Sequence, residues 1–136
     1  MYSEELKVRF YETDALGHVN NTVIPAWIET GRIPVFELFA SQGSPYEISL
    51  IVANLNVDFL RPVYFGFPVT INTYISRIGN SSFVIGSEIW QKDKLCAKGA
   101  STLVNYDYKN ECSLPIADEI KLKLKEKAHP EHPLKQ

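Results

Sequence analysis

The sequence has little of what marks several common protein classes. Two cysteines, Cys96 and Cys112, occur in 136 residues, too few for a disulfide framework and wrongly placed for a zinc pattern. Both read as reduced thiols with structural roles. Charge of one sign is also lacking: 14 Lys and Arg against 16 Asp and Glu leave a formal net charge of -2, so no global basic field invites nucleic acid as a partner. No apolar stretch approaches the roughly 18 residues that span a bilayer, and the opening "MYSEELKVRF" holds acids and a lysine where a secretory signal needs an apolar run. The expectation is a cytoplasmic protein without a membrane segment. Of the three histidines, His129 and His132 flank Pro130 in a polar tail, and His18 has no Cys or second His at ligand spacing, so no metal site is expected. A Gly-x-Ser-x-Gly elbow, a phosphate loop and a dinucleotide glycine pattern are all absent.

What is present is one ordinary globular composition, 45% hydrophobic and 22% charged, enough for a single buried core. One domain over 1–128 is expected, followed by a solvated tail over 129–136. Leu6, Val8 and Phe10 alternate with Lys7 and Arg9, which predicts a strand over 5–11. Trp27, Ile28, Gly31, Val35, Phe36 and Phe39 recur at three- and four-residue spacings, predicting a helix over 22–40 capped by Asn21 or Thr22. Pro25 fits the first turn, whereas Pro34 should bend or break the helix near residue 33, and Gly43, Ser44 and Pro45 should end it.

Alternation then returns. Ile51, Ala53, Leu55, Val57 and Phe59 are predicted to share one strand face, and Pro62 closes that strand. Further strands follow at Val69 to Ile75, Phe83 to Ile89 and Leu95 to Tyr106, joined by turns at Gly79-Asn80 and Lys92-Asp93-Lys94, so neighbours should be antiparallel. The run "SLPIADEIKLKLKEK" reads as a short helix with Ser113 as N-cap. The result is an α+β fold, a five-stranded antiparallel sheet with one long amphipathic helix on one face. Tyr74, Val84, Trp90 and Val104 make the other face less polar than full exposure suggests, which suits a homo-oligomer.

The densest chemistry is "ETDALGHVNN", Glu12 to Asn21, just before the helix. A helix N-terminus offers unpaired amides and a partial positive charge, able to hold an oxygen that becomes negative during a reaction. Asp14 a few residues upstream can share that cleft as nucleophile or as general base on water. Gly17 lets backbone approach a ligand, and Asn20 or Asn21 can orient water or a carbonyl. On chemistry alone, Asp14 as a turn cap and Asn21 as a helix cap explain the same residues.

The segment "VRFYETDALGHVNNTVIPAWIETGR" resembles the opening of the hotdog-fold acyl-CoA thioesterases, in the branch of 4-hydroxybenzoyl-CoA thioesterase, and "VDFLRPVYFGFPVTINTYISRIGNSSF" resembles later strands of that family. The resemblance covers about residues 5 to 110 and implies a hotdog sheet wrapped around the helix. It places the catalytic carboxylate at Asp14 and the amide that polarises the thioester carbonyl near Asn21, with His18 and Asn20 in support. It implies active sites shared across a homodimer or homotetramer, no cofactor, and an acyl-CoA substrate. Arg61 and Arg77 become candidates for phosphate contacts, Trp27 for lining or backing the acyl pocket. Ile24, where many relatives have an aromatic residue, and Pro25 after it set this pocket apart. The alternative is an acyl-thioester binding module without turnover.

Overall fold

The computed structural model describes residues 1–15, 17–40 and 49–135. Along the chain come β1 (Tyr2–Leu6), a 3₁₀ turn (Phe10–Glu12), α1 (Val23–Glu37), β2 (Leu50–Phe59), β3 (Val69–Ile78), β4 (Ser82–Gln91), β5 (Lys94–Asp107), β6 (Cys112–Ser113) and α2 (Asp118–Lys125). The strands form one antiparallel sheet in the order β1-β3-β4-β5-β2, and the two-residue β6 pairs with β5 as a sixth strand beyond the five expected. The turn expected at Gly43, Ser44 and Pro45 lies outside the described residues.

The first strand begins and ends earlier than its alternation predicts. Val8 is buried, but Phe10 and Tyr11 are 76% and 75% exposed, and Glu12 turns inward instead. Amides of Glu12 and Thr13 donate to the carbonyls of Arg9 and Phe10 at 2.9 and 3.1 Å, which makes a 3₁₀ turn of what alternation reads as strand. In α1 the N-cap is Thr22, whose side chain makes no capping bond. Asn20 acts in its place: its Oδ1 accepts the Thr22 N–H at 2.9 Å and the Thr22 hydroxyl at 2.7 Å. Pro34 does not break the helix at 33. The helix runs through it to Glu37, because Val35 is fully buried against Ile75, Phe83 and Leu103 and that packing holds the last turn.

Helix α1 lies on β1, β3 and β4, and the core beneath it falls into two clusters. Near the helix start, Ile24, Trp27 and Ile28 pack with Ile71 and Ile89. Near its end, Val35 packs with Ile75, Phe83 and Leu124 of α2. Small polar residues separate the two: Thr73 and Ser87 face each other in register, and Ser101 lies on β5. A Cβ on Gly31 would lie 2.6 Å from Thr73 Oγ1, so only glycine lets the helix approach so closely here. Arg32 is buried beside this seam and donates to Ser101 Oγ at 2.8 Å.

Strand β2 departs from its predicted face in two ways. A bulge at Ala53 shifts the register, so Ile51 pairs with Val104 while Leu55 pairs with Ser101 on the helix side. Ile51 and Leu55 therefore point to opposite faces. As an edge strand beyond the helix's cover, β2 also leaves Leu55 40% and Phe59 55% exposed.

The C-terminal helix starts later than expected. Ser113 belongs to β6, and Ala117 takes the N-cap position without a side-chain bond. Residues before the helix are held extended, with the Leu114 and Ile116 amides donating to the Asn105 and Asn80 carbonyls at 2.8 and 2.9 Å. The tail expected to be solvated is exposed at 130–133 and 135 but is held against the sheet at several points. Ala128 and Lys135 bridge to Ile75 and Arg77 of β3, beyond the start of β1 at Tyr2. His129 then reaches the sheet face opposite α1, its Nε2 3.5 Å from Glu88 Oε2 and its ring edge-on to Tyr74 at 4.9 Å. No described helix is long and apolar enough to cross a membrane.

Candidate functional site

The loop between Glu12 and Asn20 is built backward from its own hydrogen bonds. Thr13 and Val19 form an antiparallel bridge. Inside it the Asp14 amide donates to the His18 carbonyl at 2.8 Å and the Gly17 amide to the Asp14 carbonyl at 3.1 Å. Gly17 closes this turn with φ +80, a left-handed conformation natural to glycine. A second segment locks on from the other side: the Val19 amide donates to the Val63 carbonyl at 2.8 Å, His18 bridges to Tyr64, and their rings meet edge-to-face at 5.2 Å.

That second segment, residues 60–68, is itself pinned. Leu60 and Arg61 amides both donate to the Cys96 carbonyl at 2.8 and 3.0 Å. Gln91, buried at the end of β4, accepts from the Tyr64 amide at 2.9 Å and donates to the Tyr64 and Phe67 carbonyls at 2.8 and 3.0 Å.

Between the two segments lies an open cleft of about 500 Å³. Asp14, His18, Asn20 and Asn21 form one wall with Ile24 from the first turn of α1. Phe59, Arg61 and Val63 form the other, and Cys96 and Ala97 close the base. Four expected site residues from the loop and Arg61 from the opposite segment thus meet in one place. Gly17, Trp27 and Arg77 are not among the residues that line this cleft. Gly17 shapes the loop from outside, and Trp27 is buried behind it, its Nε1 donating to Glu12 Oε2 at 2.9 Å. Arg77 stands six residues along β3 from Ile71, whose partner Ile89 is in register with the cleft residue Ala97. That separation is about 20 Å at the rise of a strand.

Two features favour negative charge at the cleft's helix end. The Asn21 amide donates to no acceptor among the described residues, and although Asn20 caps the Thr22 amide, the first turn of α1 carries no acidic side chain to offset the positive end of the helix. At the base, burial pushes the Cys96 thiol upward, with hydrogen bonding and nearby cations opposing it. Among the described residues no group of three or more His, Cys, Asp or Glu is placed to hold a metal ion.

Reading the sequence alone misses three participants. Cys96 reads there as purely structural, yet it lines the cleft. Lys92 and Lys94, which read only as turn residues, join Arg61 around a neighbouring hollow of about 330 Å³ that shares Arg61, Pro62 and Cys96 with the cleft. The β4–β5 hairpin register, Gln91 against Lys94, brings them there. Spacing along the chain carries no sign of it, because Arg61 arrives through a long-range backbone contact.

Comparison with known proteins gives one answer at three levels. The thioesterase-like superfamily profile matches residues 8–124. Among curated proteins, the long-chain acyl-CoA thioesterase FadM of Escherichia coli (strain K12) is 25% identical over 126 residues, spanning 90% of this chain and 96% of its own. Among solved structures, a predicted thioesterase from Bacillus stearothermophilus superposes with a TM-score of 0.90 at 38% identity, covering 97% of this chain and 98% of that one. A thioesterase from Thermus thermophilus, solved in complex with coenzyme A and Zn, gives 0.80 at 30% identity over 90% of this chain and 95% of that one.

Proposed function

The chain belongs to the thioesterase-like superfamily, a hotdog-fold family, and is a thioester hydrolase; from that premise we propose that it hydrolyses an acyl-CoA to the free acid and coenzyme A in the Asp14 cleft. The observation that carries this reading is the shared wall: Asp14 and Asn21, whose amide has no acceptor among the described residues, line one cavity. The Asn21 amide donates to the thioester oxygen and stabilises the oxyanion as the carbonyl becomes tetrahedral. Asp14 either removes a proton from the water that attacks the carbonyl carbon or attacks it directly, forming a mixed anhydride that water then opens. In both routes the C–S bond breaks, the thiolate of coenzyme A leaves and takes up a proton, and the acid is released.

His18 and Asn20 act through the scaffold, His18 by its bridge to Tyr64 and Asn20 by capping Thr22. Arg61, Lys92 and Lys94 receive the phosphates of the coenzyme in the adjoining hollow, where flexible cations suit a mobile, multiply charged group. Arg77 lies about 20 Å from this cleft within the same chain, so it has no such part there. The edge of β2, open among the described residues, and its exposed apolar side chains support a homodimer in which a second copy covers Leu55 and Phe59. Phe59 already lines the cleft, so that interface would complete the site.

The test is thiol release from a panel of short, long and aromatic acyl-CoAs, run beside direct binding. Turnover of at least one member is expected. Tight binding of acyl-CoA with no turnover of any would overturn hydrolysis and leave a binding module.

A further inference from the structure

Glu12 is a buried carboxylate, 8% exposed, that lines no part of the cleft and takes no step in the reaction above. Both its oxygens are engaged by neutral donors: Oε1 accepts the Arg9 amide at 2.7 Å and Oε2 accepts the Trp27 indole N–H at 2.9 Å. No salt bridge among the described residues offsets its charge. Arg9 attracts it electrostatically without a direct ion pair, and a buried acid held only by two neutral N–H groups is a costly way to stabilise a turn, since an apolar residue would bury there at less cost.

Its position suggests what the carboxylate does. Through its backbone, the Glu12 carbonyl accepts the Asn20 amide at 2.8 Å. Asp14 follows Glu12 by two residues and Asn21 follows Asn20 by one, so this bond closes the loop between the acid and the oxyanion donor. Through its side chain, Glu12 ties the same point to α1 by way of Trp27, which is wedged in the core with Val8, Ile24 and Ile28. One residue therefore fixes the loop to itself and to the helix whose first turn supplies the amide.

We propose that Glu12 is a positioning residue which, through its bond to the Trp27 indole, sets the distance between the Asp14 carboxylate and the Asn21 amide. This rests on the catalytic reading of Asp14. Misplacement of reacting groups by about 1 Å can cost about a hundredfold in rate, and nothing else among the described side-chain bonds joins the loop to the body of α1. Trp27→Phe keeps an aromatic ring in the core but removes the donor. Glu12→Gln keeps one acceptor for two donors and turns an NH₂ group toward one of them.

The experiment compares kcat and KM of the wild type, Trp27→Phe, Glu12→Gln, the double variant and Asp14→Asn on the best acyl-CoA, well below each variant's Tm. The expected result is a fall in kcat of about tenfold to a hundredfold in each single variant, with KM nearly unchanged. The double variant should be no slower than the slower single one, because both remove the same link. A merely structural Glu12 would lower Tm and leave kcat of the folded enzyme intact; that outcome, with Asp14→Asn inactive, overturns the inference and spares the catalytic reading. Full turnover in Asp14→Asn overturns both. Should Glu12→Gln fail to fold, Trp27→Phe alone decides, since wild-type kcat in it overturns the proposal.

Discussion

Cys96 and Cys112 are chemically identical in the sequence and differ in the structure by burial: Cys96 is 3% exposed at the base of the cleft, and Cys112 is exposed on β6. Burial disfavours the thiolate, so the Cys96 pKa is raised above its ordinary value and its reactive fraction at any given pH is smaller. Iodoacetamide at neutral pH should label Cys112 and leave Cys96 untouched, with Cys96 labelling growing only as pH rises or the fold opens. Mass spectrometry of the alkylated protein reads this directly, and preferential labelling of Cys96 would contradict the burial. Residue chemistry was legible where a whole motif announced it. Asp14, His18, Asn20 and Asn21 are contiguous, so the loop that brings them together is local. Cys96, Lys92 and Lys94 were not legible, because it is long-range bonds from Leu60, Arg61 and Tyr64 that bring the opposite segment to their hairpin.

At the scale of elements, the approach of α1 to β3 is the most constrained contact in the core. Gly31→Ala would gain about 1 kcal/mol of helix propensity but would place a methyl 2.6 Å from Thr73 Oγ1 and 3.0 Å from Ile71 Cγ2. Overpacking of this kind costs about 1 to 3 kcal/mol, and both neighbours are β-branched and fully buried, so the upper end applies. A net loss of about 2 kcal/mol is expected in urea unfolding, whereas a gain would show that the helix can lift off the sheet. Periodicity located every long element, since α1 and β2 to β5 each carry a strong apolar repeat. It misjudged their ends where a competing bond wins. The first strand stops at Leu6, where β3 begins at Val69, and a 3₁₀ turn replaces its predicted end; the extended segment that pairs with β5 delays the last helix to Asp118. The bulge at Ala53 and the docking of the tail beside β3 leave no periodic trace at all.

At the scale of the whole molecule, the edge of β2, unpaired among the described residues, and its exposed apolar residues define the surface that a second copy would fill. Leu55→Asp changes a residue already 40% exposed, so the single chain should fold as before. Sedimentation is expected to give a dimer for the wild type and a monomer for the variant, and thioester turnover should fall with the dimer because Phe59 of the same strand lines the cleft. A wild type that sediments as a fully active monomer would contradict this. The order of strand, helix and four strands was legible from alternation and turns alone. Its exposed edge was not, since the sequence shows that a face is apolar and not what covers it. The central claim concerns the cleft, and the most direct measurement of it is kcat for Asp14→Asn against wild type on an acyl-CoA that the wild type hydrolyses. A fall of about a hundredfold or more, with the fold intact, is predicted for the loss of a positioned catalytic group; a variant as fast as wild type would contradict the account.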